Sequence, residues 1–226
     1  MIDLNRCLVA IRRPVATALL CGAALLTLQG CAGVLLGGAA VMGSLAATDR
    51  RTLGTQTDDK AISFKGDQRV YSVIAPSDNV KITSFNRRVL LTGEVRDENS
   101  RQAAAREVAA VEGVREVINE LVVSGTAGFG SRSNDTLITG KVKASLLDEK
   151  GLYVNAIKVV TERGVVYLMG RVTQHEADLA TQITRGVGGV QKVVRVFEYL
   201  SPEEYNALAN TPDTQKKAEK DAQIDH

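Results

Sequence analysis

VKITSFNRRVLLTGEV, residues 80–95, and IKVVTERGVVYLMGRV, residues 157–172, align without a gap at an offset of 77 residues. Each opens with an alternating apolar and polar run, turns through short polar residues, and continues into a second apolar run. That second run ends in a glycine two positions before a valine: Gly93 and Val95 in the first copy, Gly170 and Val172 in the second. Alternation at a period of two is the mark of a β-strand, and two such runs joined by a short polar turn read as a hairpin. An internal repeat of this kind fixes the structural unit before any single element is assigned.

Downstream of each hairpin the pattern switches to a helical one. In the first copy Ala103 to Val111 leads through Glu112 and Gly113 into VREVINELVV, and in the second Glu176 to Val187 leads through Gly188 and Gly189 into VQKVVRVFEYL. Glycine just past a helix supplies the left-handed residue that ends it. Beyond the helices the offset is 76, so Gly113 meets Gly189 and Val114 meets Val190. Upstream of the second hairpin stands NDTLITGKVKASLL, residues 134–147. It reads as a helix capped by Asn134 with Asp135 in its first turn. The corresponding stretch of the first copy, DDKAISFKGDQRVYSVI, carries Gly66 and Asp67 in its middle and shows only weak periodicity. The repeat is therefore helix, strand, strand, helix, strand, about 65 residues long, and belongs to the α+β class.

The helix over 134–147 has more apolar positions than a core requires. At about 100° per residue Ile138, Val142, Ser145 and Leu146 share one stripe, which suits a core-facing side. Leu137, Gly140, Ala144 and Leu147 form a second strip, bordered by Lys141 and Lys143. Two readings fit it. The leucines could sink among acyl chains while the ammonium groups meet lipid phosphates, or the strip could pack against the other repeat.

The N-terminus has the layout of a targeting segment: Arg6, Arg12 and Arg13 are followed by an apolar run from Val15 to Leu28 and then by small residues. Of the three cysteines, Cys7 and Cys21 lie inside that segment and only Cys31 outlasts its removal, which excludes a disulfide within one mature chain. LQGC, residues 28–31, resembles the bacterial lipobox, in which cleavage precedes a cysteine that becomes acylated. Ala32 follows where an inner-membrane retention signal would place Asp, so the implied address is the outer membrane. Removing residues 1–30 lowers Lys plus Arg from 28 to 25 and Asp plus Glu from 26 to 25, and no global attraction to nucleic acid remains.

AGVLLGGAAVMGSLAA, residues 32–47, and the polar TDRRTLGTQTDD, residues 48–59, read as tether and linker. GTAGFGSRS joins the copies, and the chain past Pro202 turns polar and reads as a solvated tail. Catalysis finds little support: His175 stands at a helix start beside Glu176, and no HExxH, GxSxG or paired-cysteine motif is present. Neither a metal site nor a cofactor is expected. GTAGFG lacks the Lys-Ser/Thr of a phosphate loop. RGVGG, residues 185–189, fits the GxxG of an RNA-binding loop but leads from a helix into a strand.

Tandem units with a glycine ending each hairpin and a helix running into Gly-Val-x-x-Val resemble the BON domain. With Cys31, DRRTLGTQTDD at 49–59, SNDTLITGKVKASLL at 133–147 and VYLMGRVTQHEA at 166–177, residues 31–200 resemble the outer-membrane lipoproteins that carry two BON domains. The resemblance implies a small αββαβ sandwich for each unit, with a three-stranded mixed sheet on two helices. It implies this layout: signal peptide 1–30, lipidated tether 31–59, BON domain 1 at 60–124, linker 125–132, BON domain 2 at 133–202 and disordered tail 203–226. It further implies a periplasmic protein held in the outer membrane by acylated Cys31, supporting envelope integrity, with enrichment at the division site and support of the outer-membrane protein assembly machinery. Its lipid partners would be anionic, phosphatidylglycerol or cardiolipin, met by Leu137, Gly140, Lys141, Lys143, Ala144 and Leu147. Relatives place Trp where this chain has Leu137, and leucine inserts well but lacks the interfacial anchoring of an indole. The competing expectation is a BON pair that docks on an envelope protein or on peptidoglycan without lipid specificity.

Overall fold

The computed structural model describes residues 49–124, 129–149 and 151–209. The expected signal peptide, Cys31 and the expected tether up to residue 48 lie outside the described residues, as do residues 125–128 and 210–226. Ala47–His226 is a compact unit, and its described residues form three apolar clusters.

Each repeat folds as expected. The first runs α1 (Leu53–Tyr71), β1 (Asn79–Phe85), β2 (Arg88–Val95), α2 (Glu98–Ala109) and β3 (Glu116–Val123). The second runs α3 (Phe129–Leu147), a 3-10 turn (Val154–Ala156), β4 (Ile157–Glu162), β5 (Val165–Val172), α4 (Gln174–Gly186) and β6 (Lys192–Tyr199). In both sheets the second strand is central, antiparallel to the first and parallel to the third.

The hairpins explain their own sequences. Asn86 and Arg87 turn the first with φ of 52° and 64°, and Arg163 and Gly164 turn the second with 52° and 75°; two left-handed residues make the type I′ turn whose twist matches the strands. Gly93 and Gly170 sit where the paired strand comes closest. A Cβ at Gly93 would lie 1.9 Å from the Asn79 carbonyl oxygen, and one at Gly170 would lie 2.3 Å from that of Ala156.

Side chains of β2 and β5 alternate between two apolar surroundings. Val89, Leu91 and Val95 face α1 and α2 in one core, and Val166, Leu168 and Val172 face α3 and α4 in another. The intervening Leu90 joins Phe85, Tyr167, Met169 and Val196 in a third cluster shared by the two repeats. The sheets thus meet through the faces their helices leave bare, so the helices lie on the outside. Polar contacts frame this seam: Lys81 Nζ to Glu162 Oε2 at 2.7 Å, Asn86 Nδ2 to Glu198 Oε2 at 2.6 Å, and Arg88 Nη1 to the Phe197 carbonyl at 2.9 Å.

Four sequence expectations need correction. The tether read over 31–59 overlaps a helix, because α1 starts at Leu53. Thr52 caps it, its hydroxyl accepting from Thr55 N at 3.1 Å. Asn134 is not an N-cap, because α3 begins at Phe129 within the expected linker 125–132. Asp135, buried at 5%, serves instead as a clamp on the second hairpin turn, accepting from Arg163 N and Gly164 N, both at 2.8 Å. The tail expected over 203–226 begins with a further helix, α5 (Pro202–Ala209), started by a Ser201–Glu204 capping pair. The second helix of the first repeat also starts earlier than its apolar pattern, at Glu98, where Asp97 caps Ser100 N at 2.7 Å.

Candidate membrane-contact face

Helix α3 is held to its sheet by Ile138, Val142 and Leu146, which are no more than 1% exposed and join the second core. Its partners there include Ile157, Val159, Leu168 and Ala177. Thr139 fixes the flank by a 2.7 Å hydrogen bond to the Thr161 hydroxyl. These contacts set the helix's rotation, and at about 100° per residue they turn the second strip directly outward.

All six residues of that strip are exposed: Leu137, Gly140, Lys141, Lys143, Ala144 and Leu147. Leu137 is 64% exposed and Leu147 72%. The reading in which the strip packs against the other repeat is therefore set aside, since the first repeat occupies the sheet face on the opposite side of the domain. A Cβ at Gly140 would meet nothing within 4 Å. An exposed glycine inside a helix costs about 1 kcal/mol relative to alanine, and packing within the domain does not explain it. Lys141 and Lys143 flank the strip on opposite sides, and neither forms an ion pair among the described residues. Asp148 and Glu149 follow just past the helix end, the first of them exposed.

The first repeat offers a different surface on the equivalent helix. At the repeat offset of 76, Phe64 and Tyr71, 64% and 67% exposed, stand for Gly140 and Leu147, while Asp67 and Gln68 replace Lys143 and Ala144. The combination of apolar strip and two flanking cations belongs to the second repeat alone.

Chemistry elsewhere is sparse. His175 is exposed at the start of α4. Beside it Glu176 is buried, closing a capping box with Thr173 and pairing with Arg50. Burial alone would raise the Glu176 carboxyl, but hydrogen bonds from Arg50 and Thr173 outweigh it and hold the group below its ordinary value of 4.5. Among the described residues, no group of three or more His, Cys, Asp and Glu could hold a metal ion, and no helix is long and apolar enough to cross a membrane.

Two structural roles escaped the sequence reading. Asp59 clamps the first hairpin turn as Asp135 clamps the second, accepting from Asn86 N and Arg87 N at 2.8 Å each. The signal was available, since Asp59, Ile62, Gly66 and Val70 match Asp135, Ile138, Val142 and Leu146 at the offset of 76. Arg50, taken as linker, reaches the second repeat and is stacked near the rings of Tyr153 and Tyr205, 5.0 and 5.6 Å from their centroids.

Residues 64–125 and 134–201 both match the BON domain, and the chain belongs to the BON-domain family as a two-domain member. Among known proteins it is similar to the outer membrane lipoprotein DolP of Haemophilus influenzae, 40% identical over 185 residues that cover 81% of this chain and 95% of the relative. It is also similar to a 21 kDa hemolysin of Actinobacillus pleuropneumoniae, 32% identical with coverage of 67% and 79%. The osmotically inducible protein Y of Escherichia coli is 33% identical, with coverage of 62% and 72%.

Proposed function

We propose that this chain is an outer-membrane lipoprotein, acylated at Cys31 and facing the periplasm, whose second BON domain rests the α3 strip on anionic phospholipid. The observation that carries this reading is the exposed run of Leu137, Gly140, Ala144 and Leu147 between two lysines that form no ion pair among the described residues, on a helix whose other side is committed to the core. Similarity to an outer membrane lipoprotein over nearly the whole length of that relative supports the location.

The energetics suit a tethered reader of lipid rather than a stand-alone binder. Two inserted leucines contribute about 1.5 kcal/mol each and two lysines about 1 kcal/mol each near an anionic surface. The total of roughly 5 kcal/mol corresponds to a Kd in the upper micromolar range before ordering costs. An acyl anchor on the same chain raises the effective concentration of membrane to about the millimolar range, which fills such a site. Phosphatidylglycerol and cardiolipin are the lipids whose charge fits, and support of envelope integrity, including the assembly machinery for outer-membrane proteins at the division site, is the process we assign to the contact.

Flotation of unacylated residues 47–226 with vesicles tests the reading. Binding to phosphatidylglycerol vesicles with little binding to phosphatidylcholine is expected; equal binding to both, or to neither, favours docking on an envelope protein or peptidoglycan instead.

A further inference from the structure

RGVGG, residues 185–189, closes α4 and turns the chain toward β6. Packing does not ask for glycine at 186 or 188: both are exposed, and a Cβ on either would meet nothing within 4 Å. Val190 N donates to the Val187 carbonyl at 3.2 Å, so Val187–Val190 is a tight turn, and Gly189 within it has φ of 100°. A third turn residue with positive φ is the glycine position of a type II turn. The amides on either side are taken, Val187 N by the Thr184 carbonyl at 3.2 Å and Gln191 N by that of Gly164 at 2.9 Å. Those of Gly188 and Gly189 donate no hydrogen bond among the described residues. Successive exposed N–H groups at a turn attract anions.

The turn lies against α3. A Cβ on Gly189 would come within 3.1 Å of Ile138 Cγ1, the residue next to Leu137 and about one helical turn before Lys141. The first domain shows what faces what across this junction. There Asp58, Ala61, Ile62 and Lys65 of α1 line one cavity of about 400 Å³ with Glu112 and Gly113 of the α2–β3 loop. At the offset of 76 these positions are Asn134, Leu137, Ile138 and Lys141 of α3 with Gly188 and Gly189. Arg87 also lines the first cavity, paired with Asp58 at 2.6 Å, and Gly164 takes its place at the offset of 77. Two carboxylates and two cations balance in the first domain. In the second, Asn134 and Gly188 replace both carboxylates, and Lys141 is the one charge left. Lys141 forms no ion pair among the described residues. Leu137 of the exposed strip stands beside it, where the first domain has Ala61.

We propose that Lys141 and the backbone amides of Gly188 and Gly189 bind the phosphodiester of an anionic phospholipid, with Leu137 alongside to take its hydrocarbon. This rests on the lipid reading of the α3 face and adds to it a headgroup site, which makes the α4–β6 loop a second element at the membrane. The amides donate to phosphate oxygens, bonds that the negative charge strengthens, and the ammonium group supplies the opposite charge.

The test uses residues 47–226, the compact unit. Dihexanoyl phosphatidylglycerol below its micellar concentration should move the amide resonances of Gly188 and Gly189. Lys141→Gln should weaken that response about fivefold, the equivalent of one lysine at an anionic surface. Inorganic phosphate at the same concentration should leave both resonances in place; equal shifts would identify a free-phosphate site and overturn the lipid assignment. A single-stranded RNA oligonucleotide that moves them at lower concentration than the lipid would overturn it too. Flotation with vesicles of phosphatidylglycerol in phosphatidylcholine, at about 0.1 M salt, gives a second readout. Gly188→Glu, which restores the first domain's residue, should lower binding by more than about fivefold, while Gln68→Glu, exposed on α1, should stay within about twofold and controls for net charge. If wild type prefers anionic vesicles but the two amides stay still, or Gly188→Glu binds no worse than Gln68→Glu, the headgroup site is wrong while the α3 face stands. If wild type itself shows no preference, both readings fall. Should Gly188→Glu lower the thermal midpoint, the wild-type resonances carry the same test without a substitution.

Discussion

Arg50 and Glu176, 126 residues apart in the chain, meet in a two-point ion pair, Nη2 to Oε1 at 2.7 Å and Nη1 to Oε2 at 2.8 Å. Both side chains are less than a tenth exposed. The same Nη1 donates to the Arg171 carbonyl at 2.9 Å. A residue three positions before the first domain's opening helix is thus fastened to the second domain.

Removing one member of a buried pair leaves the other charge uncompensated, at a cost of about 3 kcal/mol. Arg50→Ala is expected to lower stability by about that amount in urea unfolding and to increase hydrogen exchange at the start of α4. A loss under about 0.5 kcal/mol would mean that the pair is no better than a surface contact.

The same pair gives a pH dependence. The Glu176 carboxyl is depressed in the folded protein, so its stabilisation is fully present above the ordinary value of 4.5 and is lost as pH falls through the folded value below it. Wild type should therefore lose thermal stability on acidification from about pH 5 more steeply than Arg50→Ala, in which the pair is already absent. Parallel profiles for the two proteins would contradict this.

Glycines separate into two kinds. Gly93→Ala and Gly170→Ala place a methyl against a backbone carbonyl oxygen, at 1.9 and 2.3 Å before relaxation, and each should cost more than about 2 kcal/mol by chemical denaturation. Gly140→Ala meets open space and should stabilise by about 1 kcal/mol through helix propensity. Stabilisation at 140 with weaker vesicle binding would tie that glycine to the contact rather than to the fold.

Much of this architecture is legible in the chain because the repeat states it twice. Period-two alternation located the hairpins, and Ile138, Val142 and Leu146 marked the core side of α3. Helix α1 hid because its buried line runs Asp59, Ile62, Gly66, Val70. The space that Val142 fills in the second domain is taken here by neighbours, since a Cβ on Gly66 would lie 3.2 Å from the Ile82 Cδ1 and 3.7 Å from a Val108 methyl. The seam between sheets was also written in the sequence, as the unbroken runs VLL and VVYLM, which suit strands covered on both faces. The bond from Arg50 to Glu176 was not legible, because its two ends stand 126 residues apart and no periodicity relates them.

The turn clamps give a further expectation. Asp135→Ala removes two charge-assisted hydrogen bonds from the Arg163 and Gly164 amides, and should cost about 3 kcal/mol. Asp135→Asn keeps one good acceptor and should cost about half of that. Equal losses would show that burial of the side chain, rather than its two acceptors, holds the turn.

Leu137→Glu tests the central claim most directly, because Leu137 is 64% exposed and contributes nothing to the core. Residues 47–226 carrying this change should keep the wild-type unfolding midpoint while losing flotation with phosphatidylglycerol vesicles by more than about tenfold, since a charge replaces an inserted leucine on the face that meets an anionic surface. Undiminished flotation by a folded Leu137→Glu protein would contradict the account and move the membrane contact away from α3.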